Sequence, residues 1–320
     1  MRLARFRQPP ATEPEAGIVF GEEIYPLRAV WRSDATFGPL PKDLIELIAR
    51  LSDPKLKLAL GDSLAGLAST AANAARLPID TVELLAPVQP GSFRDFYAFE
   101  QHVRNARKKR GLDMVPEWYE APVFYFSNTA GIVGPNVPVR KPPETQELDY
   151  ELELGAVIAR EGGDIPVSEA DSFIAGFTIL NDWSARDLQR QEMKVGLGPA
   201  KGKDFATSIG PFLVTPEELD AQILSDRSRG KRYDLTMTAA VNGREISRGN
   251  AGDMHWTFAE LIARASRNTL LRPGDLIGSG TVGTGCLTEF PDGTYPWLQP
   301  GDLVELHIEC LGTLRNRVEG

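Results

Sequence analysis

The stretch LDYELELGAVIA, residues 148–159, places Asp149, Glu151 and Glu153 at alternate positions. Read with the period of two of a β-strand, these carboxylates share one face, and Leu148, Tyr150, Leu152 and Leu154 share the other. The Cβ atoms of Glu151 and Glu153 then lie roughly 7 Å apart, and long carboxylates at that spacing can converge on one cation. An all-oxygen donor set favours Mg2+, Mn2+ or Ca2+ over zinc. The competing reading is a strand that turns a charged face to water.

Three further regions carry polar groups without an obvious folding role. In ILNDWSARDLQRQE, Asp182 ends an apolar run just before a helical pattern and can cap that helix; if Ser184 caps instead, Asp182 is free to act as a ligand. Arg186 and Gln189 share a helix face with Met193 and suit either a substrate carboxylate and carbonyl or plain solvent. In RDFYAFEQHVRNARKKRG, Asp95, Tyr97 and His102 group an acid, a phenol and an imidazole, and RNARKKR reads as a basic helix end. A lone histidine also serves structural roles, and His102 is one of three, with His255 and His307. The third region is Gly-rich and twofold. GLGPAKGKDFATSIGP sets Lys201 and Lys203 among glycines, where backbone and ammonium can approach an anion, although P-loop spacing is missing. IGSGTVGTGCLTEF holds Thr281 and Glu289, with glycines suited to a tight turn at a sheet end.

These residues need a scaffold, and the scaffold reads as mostly β. Residues 1–90 form a small N-terminal α+β unit. RLARFR and AGIVFGEEIYPL read as strands, and PKDLIELIARL and DSLAGLASTAANAARL as helices. The Pro/Gly stretch LLAPVQPGSF marks a boundary, after which residues 91–320 are expected to form a second domain, the one that holds the residues above. There, short strands dominate: APVFYFS, LDYELELGAVIA, DLTMTAAVNGREI with an Asn-Gly hairpin turn, DLIGSGTV and DLVELHIECLG. Helices are predicted in the first half of SEADSFIAGFTIL, in WSARDLQRQEMK and in TFAELIARAS. Many strands and few helices predict an α+β, mostly β fold, with a mixed sheet rolled or barrel-like rather than parallel and doubly wound.

Composition narrows the function. The 320 residues are 42% hydrophobic and 25% charged, as in an ordinary soluble protein. A formal net charge of −9 and a pI near 5.1 argue against nucleic acid or an anionic membrane as partner. Two cysteines, Cys286 and Cys310, exclude a disulfide framework and a Cys-based zinc site, and both read as reduced and structural. MRLARFRQPP leads into Pro and acids rather than an apolar run, so it reads as neither signal peptide nor anchor. No window approaches the roughly 18 apolar residues of a spanning helix, and a cytoplasmic protein is expected.

Taken in order, DFYAFEQH, YELELG, NDWSARDLQ, GPAKGKDF and SGT followed by Glu289 resemble the fumarylacetoacetate hydrolase family across residues 91–310. NDWSARD and GKDF are the most specific pieces. The resemblance implies a fumarylacetoacetase-type roll and a divalent cation, Mg2+ or else Mn2+ or Ca2+, held by Asp95, Glu151, Glu153 and Asp182. It implies His102 as general base oriented by Glu289, and Arg186, Gln189 and Lys203 around a developing oxyanion. Tyr97, Tyr125 and Thr281 would contact substrate, and Arg110 lies one residue short of a family substrate-binding Arg. Lys203 and Thr207 match positions near a second, structural cation. Asp149 matches no ligand and reads as second shell or solvated. Met193 replaces a family tyrosine, and the spacer from Thr281 to Glu289 is short.

The implied reaction is hydrolysis of a carbon–carbon bond in a 1,3-diketo acid of fumarylacetoacetate or acylpyruvate type, by a homodimer. The alternative on the same scaffold is a 2-oxo acid lyase, either an oxaloacetate-type decarboxylase or a 2-oxo-alkenoate hydratase. A non-catalytic metal-binding module would need neither His102 nor Lys203.

Overall fold

The computed structural model describes residues 1–68, 76–224 and 228–320 of the chain. Two sheets organise it. In the larger, the strand Arg2–Arg7 pairs with Glu15–Phe20, which folds back on Glu23–Pro26. Arg2–Arg7 also pairs with Thr207–Val214, so the N-terminal strands extend the same sheet that carries the predicted site. From Thr207–Val214 the order continues through Ile174–Asp182, Leu152–Ile158, Leu276–Gly278, Phe93–Phe96 and Phe124–Phe126. Most of these neighbours are antiparallel, and Leu276–Gly278 with Phe93–Phe96 is parallel, which makes the sheet mixed.

The second sheet has five strands and runs Arg244–Asn250, Thr236–Val241, Leu303–Ile308, Gly312–Glu319 and Val139–Arg140. Its first pair is the predicted hairpin. Asn242 at φ 52° and Gly243 at φ 77° form the left-handed corner that Asn-Gly favours. Both sheets are open paths among the described residues, so the fold is α+β and mostly β, of rolled rather than closed-barrel form.

The central strand Leu152–Ile158 is buried at all seven positions. A half-exposed strand would alternate; this one is covered on both faces. Leu152, Leu154, Ala156 and Ile158 pack in one apolar cluster with Met237, Leu306 and Ile308 of the second sheet. Val157, on the other face, joins a second cluster with Leu180, Leu276 and the N-terminal Leu3 and Ile18. Glu151 and Glu153 lie on that second face, at the end where the cluster stops.

The helices follow local signals. Leu44–Arg50 begins after Asp43, whose side chain accepts from Glu46 N at 2.8 Å, and it buries Leu44, Leu47 and Ile48. Phe258–Ala265 has a full capping box between Thr257 and Glu260. The helix expected in DSLAGLASTAANAARL starts earlier, as Pro54–Ala68, and the rest of that stretch through residue 75 lies outside the described residues. SEADSFIAGFTIL is helical only over Val167–Ala170, with a short 3-10 turn to Phe173, before the strand Ile174–Asp182 begins. No helix among the described residues is long and apolar enough to cross a membrane.

Candidate active site

Strand register gathers the acids. Leu152–Ile158 starts, and Ile174–Asp182 ends, at the same edge of the sheet, with Leu152 opposite Asn181 and Asp182 opposite Thr207. On the other side, Gly155 faces Gly278, Gly278 faces Asp95, and Asp95 faces Tyr125. Asp95, Glu151, Glu153 and Asp182, distant in sequence, are thereby brought to one end. One carboxylate oxygen from each of Asp95, Glu151 and Glu153 lies within 4.8 Å of the others. All four acids are at most 5% exposed, so this is no solvated strand face.

Two cations interleave with them. Lys203 Nζ donates to Asp182 Oδ2 at 2.7 Å and also to Glu151. Arg186 Nη2 stands 2.9 Å from Glu151 Oε1, and Arg186 Nη1 donates to Gln189 Oε1 at 3.1 Å. Tyr125 donates its hydroxyl to Asp182, Thr207 donates to Asp182 Oδ1 at 3.3 Å, and Thr281 donates to Glu153 Oε1 at 3.3 Å. Asp182 is the last residue of its strand and caps no helix. Ser184 turns its hydroxyl back to the Asp182 carbonyl, and the helix Arg186–Met193 starts at Ala185 without a side-chain cap.

The electrostatics split the cluster. Burial pushes Glu151 upward, but Lys203 and Arg186 outweigh it and hold that carboxyl down at about 2. Burial lifts Asp95 and Glu153 well above the usual carboxylate range, and neighbouring carboxylates, Asp182 for Asp95 and Asp95 for Glu153, lift them further. Burial raises Asp182 as well, against the pull of Lys203. Asp95 Oδ1 and Glu153 Oε2 are buried without a hydrogen-bond donor. Crowded, donor-poor carboxylates of this kind fit a hard divalent cation, which takes oxygen ligands and offsets their repulsion.

Beside the acids, His102 lies on the helix Glu100–Lys109, 5% exposed, with Nδ1 at 2.7 Å from Glu289 Oε1. The other carboxylate oxygen accepts from Asn105 Nδ2 at 2.8 Å and Thr284 N at 3.0 Å. Burial opposes the Glu289 charge, but His102 and these donors hold its carboxyl below the ordinary value. The Tyr97 ring meets the imidazole edge-on at 5.3 Å, and burial raises its phenol to about 12. Arg110 ends the same helix, exposed, with Nε on the Ala106 carbonyl at 3.2 Å rather than on any of the acids.

Several positioning residues carry no local signature. Asp149 is fully buried and turns away from the acid cluster to accept from Arg186 Nε at 2.9 Å and from Leu287 N at 2.8 Å and Thr288 N at 3.1 Å. It thus fixes Arg186 and the turn that presents Glu289. Glu192 accepts from the amides of Ala200, Lys201 and Gly202 and holds the loop that delivers Lys203. Gly202 is required there, since a Cβ would stand 2.7 Å from the Gln189 backbone nitrogen. Lys201, paired in the sequence reading with Lys203, instead faces solvent and bonds Asp204 at 2.8 Å.

Comparison with known proteins places the chain among relatives. The family model described as fumarylacetoacetate hydrolase, C-terminal, matches residues 92–319. Fumarylacetoacetase of Rattus norvegicus is 32% identical over 236 residues, covering 61% of this chain and 56% of that protein. The chain therefore spans little more than half the length of that relative. Oxaloacetate tautomerase Fahd2a, mitochondrial, of Rattus norvegicus is 31% identical over 335 residues, covering 99% of this chain and 91% of that protein. Among solved structures, fumarylacetoacetate hydrolase of Exiguobacterium antarcticum superposes with a TM-score of 0.73 at 25% identity, covering 100% of this chain and 99% of that one. Maleylpyruvate hydrolase of Sphingobium sp. SYK-6, in complex with manganese(II) and pyruvate, shares the fold with a TM-score of 0.70 at 23% identity, covering 100% and 99% of the two chains. The chain belongs to the fumarylacetoacetate hydrolase family.

Proposed function

We propose that this protein is a divalent-cation-dependent hydrolase that cleaves a carbon–carbon bond in a small 1,3-diketo acid of fumarylacetoacetate or acylpyruvate type. The observation that carries the reading is the buried His102–Glu289 pair at 2.7 Å. Such a pair is needed to make hydroxide from water and is superfluous for binding alone.

Asp95, Glu151, Glu153 and Asp182 would hold the cation, Mg2+ or a similar oxygen-seeking ion. When bound, it supplies Lewis-acid stabilisation to the enolate charge that carbon–carbon cleavage leaves behind. Glu289 keeps the His102 proton on Nδ1, which leaves Nε2 to take a proton from water. The hydroxide adds to the keto carbonyl, and the carbon–carbon bond breaks as the tetrahedral oxyanion collapses. Arg186, fixed by Asp149, and Lys203, fixed by the Glu192-held loop, keep positive charge beside that oxygen. Gln189 spends its carbonyl on Arg186 and so keeps its amide N–H groups for substrate. Losing one such donor typically costs about 3 to 4 kcal/mol of barrier. Tyr97, Tyr125 and Thr281 line the same end of the sheet as substrate contacts.

A second reading is favoured by one comparison: the relative that spans nearly the whole chain is named an oxaloacetate tautomerase. Enol chemistry on a 2-oxo diacid, including decarboxylation, needs the carboxylate site but no hydroxide. One experiment separates the two. Purified protein with Mg2+ is assayed on fumarylpyruvate, acylpyruvates, fumarylacetoacetate and oxaloacetate, with His102→Ala alongside. The hydrolase reading expects diketone cleavage that falls about 10²- to 10⁴-fold in the variant. Turnover confined to oxaloacetate, and unchanged in His102→Ala, would reject it in favour of the second.

A further inference from the structure

The residues around the His102–Glu289 pair form a second cluster of different chemistry. Cys286 is fully buried, with Sγ at 3.7 Å from Glu289 Oε1. One ligand-type atom from each of His102, Cys286 and Glu289 lies within 4.8 Å of the other two. The other cysteine, Cys310, is exposed. The fold instead supplies Cys286 with an imidazole and a carboxylate.

We propose that His102, Cys286 and Glu289 form a second metal site, selective for Zn2+ and similar thiophilic divalent ions, whose occupation withdraws His102 and Glu289 from proton transfer. One sulfur, one nitrogen and one oxygen are a zinc donor set, and three protein ligands leave the fourth tetrahedral position to water. Mg2+ and Ca2+ take oxygen ligands and gain little from a thiolate, so the ion of the carboxylate cluster does not compete here. The two neighbouring sites thus differ in softness.

Charge and geometry agree with this assignment. A thiolate and a carboxylate balance a divalent ion, so the filled site is electrically neutral where water is scarce. Binding replaces the Cys286 thiol proton with the metal and releases that proton to solvent, while the His102 proton passes from Nδ1 to Nε2 so that Nδ1 can ligate; no electron transfer is involved. Metal–ligand bonds of about 2.0 to 2.3 Å set tetrahedral donors about 3.4 to 3.8 Å apart. The 3.7 Å between Cys286 Sγ and Glu289 Oε1 already meets that spacing, whereas His102 Nδ1, now hydrogen-bonded to Oε1 at 2.7 Å, has to open by about 0.6 to 0.7 Å as the ion takes the place of that bond. Asn105 and Thr284 hold Glu289 Oε2, which leaves Oε1 facing both His102 and Cys286. Outer contacts of this kind orient a metal-binding carboxylate.

The test uses the whole protein with saturating Mg2+ and titrates Co2+ as a coloured stand-in for Zn2+. A thiolate-to-Co2+ absorption band at one equivalent is expected, abolished by Zn2+, intact in Cys310→Ser and missing in Cys286→Ser. Glu289→Gln keeps the thiol and should weaken Co2+ by about tenfold or more. It answers independently if Cys286→Ser melts abnormally. No band, a band that persists in Cys286→Ser or disappears in Cys310→Ser, or an affinity unmoved by Glu289→Gln would overturn the proposal. None of these readouts depends on turnover, so they stand apart from the reaction proposed above.

Discussion

Removing the Asp149 carboxylate should cost both stability and turnover. Its oxygens accept from Arg186 Nε at 2.9 Å, Leu287 N at 2.8 Å, Thr288 N at 3.1 Å and Tyr150 N at 2.9 Å, all in a site with no solvent exposure. In Asp149→Ala, Arg186 keeps Glu151 and Gln189 but loses its main counter-charge. Breaking a buried ion pair from one side costs about 3 to 5 kcal/mol, and each buried amide left without an acceptor about 1 to 3 kcal/mol. Water entering the space vacated by the carboxylate recovers part of the amide cost. The expected net loss is about 4 kcal/mol, roughly a thousandfold in the folding equilibrium. Urea unfolding followed by tryptophan fluorescence reads it as a lower midpoint at unchanged slope. Because the Leu287–Glu289 turn hangs on the same carboxylate, kcat should fall with it. Asp149→Ala combined with Arg186→Leu removes both charges and should cost less than the sum of the single changes, by up to about 3 kcal/mol. A single-variant loss below about 1 kcal/mol, or strict additivity in the pair, would refute the claim that Asp149 holds Arg186.

The carboxylate cluster makes opposite predictions with and without its ion. Mg2+ at a hundred times its dissociation constant should stabilise the protein by about 2.7 kcal/mol, and Glu153→Gln should abolish that shift while leaving the ion-free melting temperature no lower, since the amide removes a repelled charge; an equal shift in both proteins would count against the assignment. The pH dependence follows from Glu289. Its folded value lies below its unfolded value, so the carboxylate stabilises fully above the unfolded value, and the contribution is lost as pH falls through the folded one. Melts of Glu289→Gln and the parent should therefore differ at neutral pH, the gap narrowing as pH falls below the ordinary carboxyl value and through the folded one; a gap that stays constant across the whole acid limb would contradict the His102–Glu289 account.

Local chemistry was legible wherever the signal lay within a few residues. Asn242-Gly243 gave its hairpin, TFAELIARAS its helix, and Glu151 and Glu153 their shared face. Other elements misled. The period-two pattern suggested a half-exposed strand, yet all of Leu152–Ile158 is buried, because the cluster built around the N-terminal strands and helices covers the Val157 face that alternation would leave to water. Asp149 continued the acid pattern in sequence but not in space, since the strand breaks after it and its side chain turns to Arg186. Lys201 and Lys203 looked equivalent between glycines, and only the Glu192-held loop sends one outward and the other into the acids.

The sequence by itself determined which groups exist and which of them share a strand or a helix, because side-chain type and the repeats of 2.0 and 3.6 residues are local properties. The ordered motifs added the family likeness and, through it, the roles proposed for His102 and Glu289. Tertiary structure alone decided the partners. His102 meets Glu289 across 187 residues, and Asp149 meets Leu287 across 138. Such meetings are set by strand register: a slip of one residue between Leu152–Ile158 and Ile174–Asp182 would turn every side chain of one strand to the opposite face and scatter the acids. Long-range packing likewise brings the turn that carries Cys286 and Glu289 beside His102, a meeting that no spacing in the sequence announces.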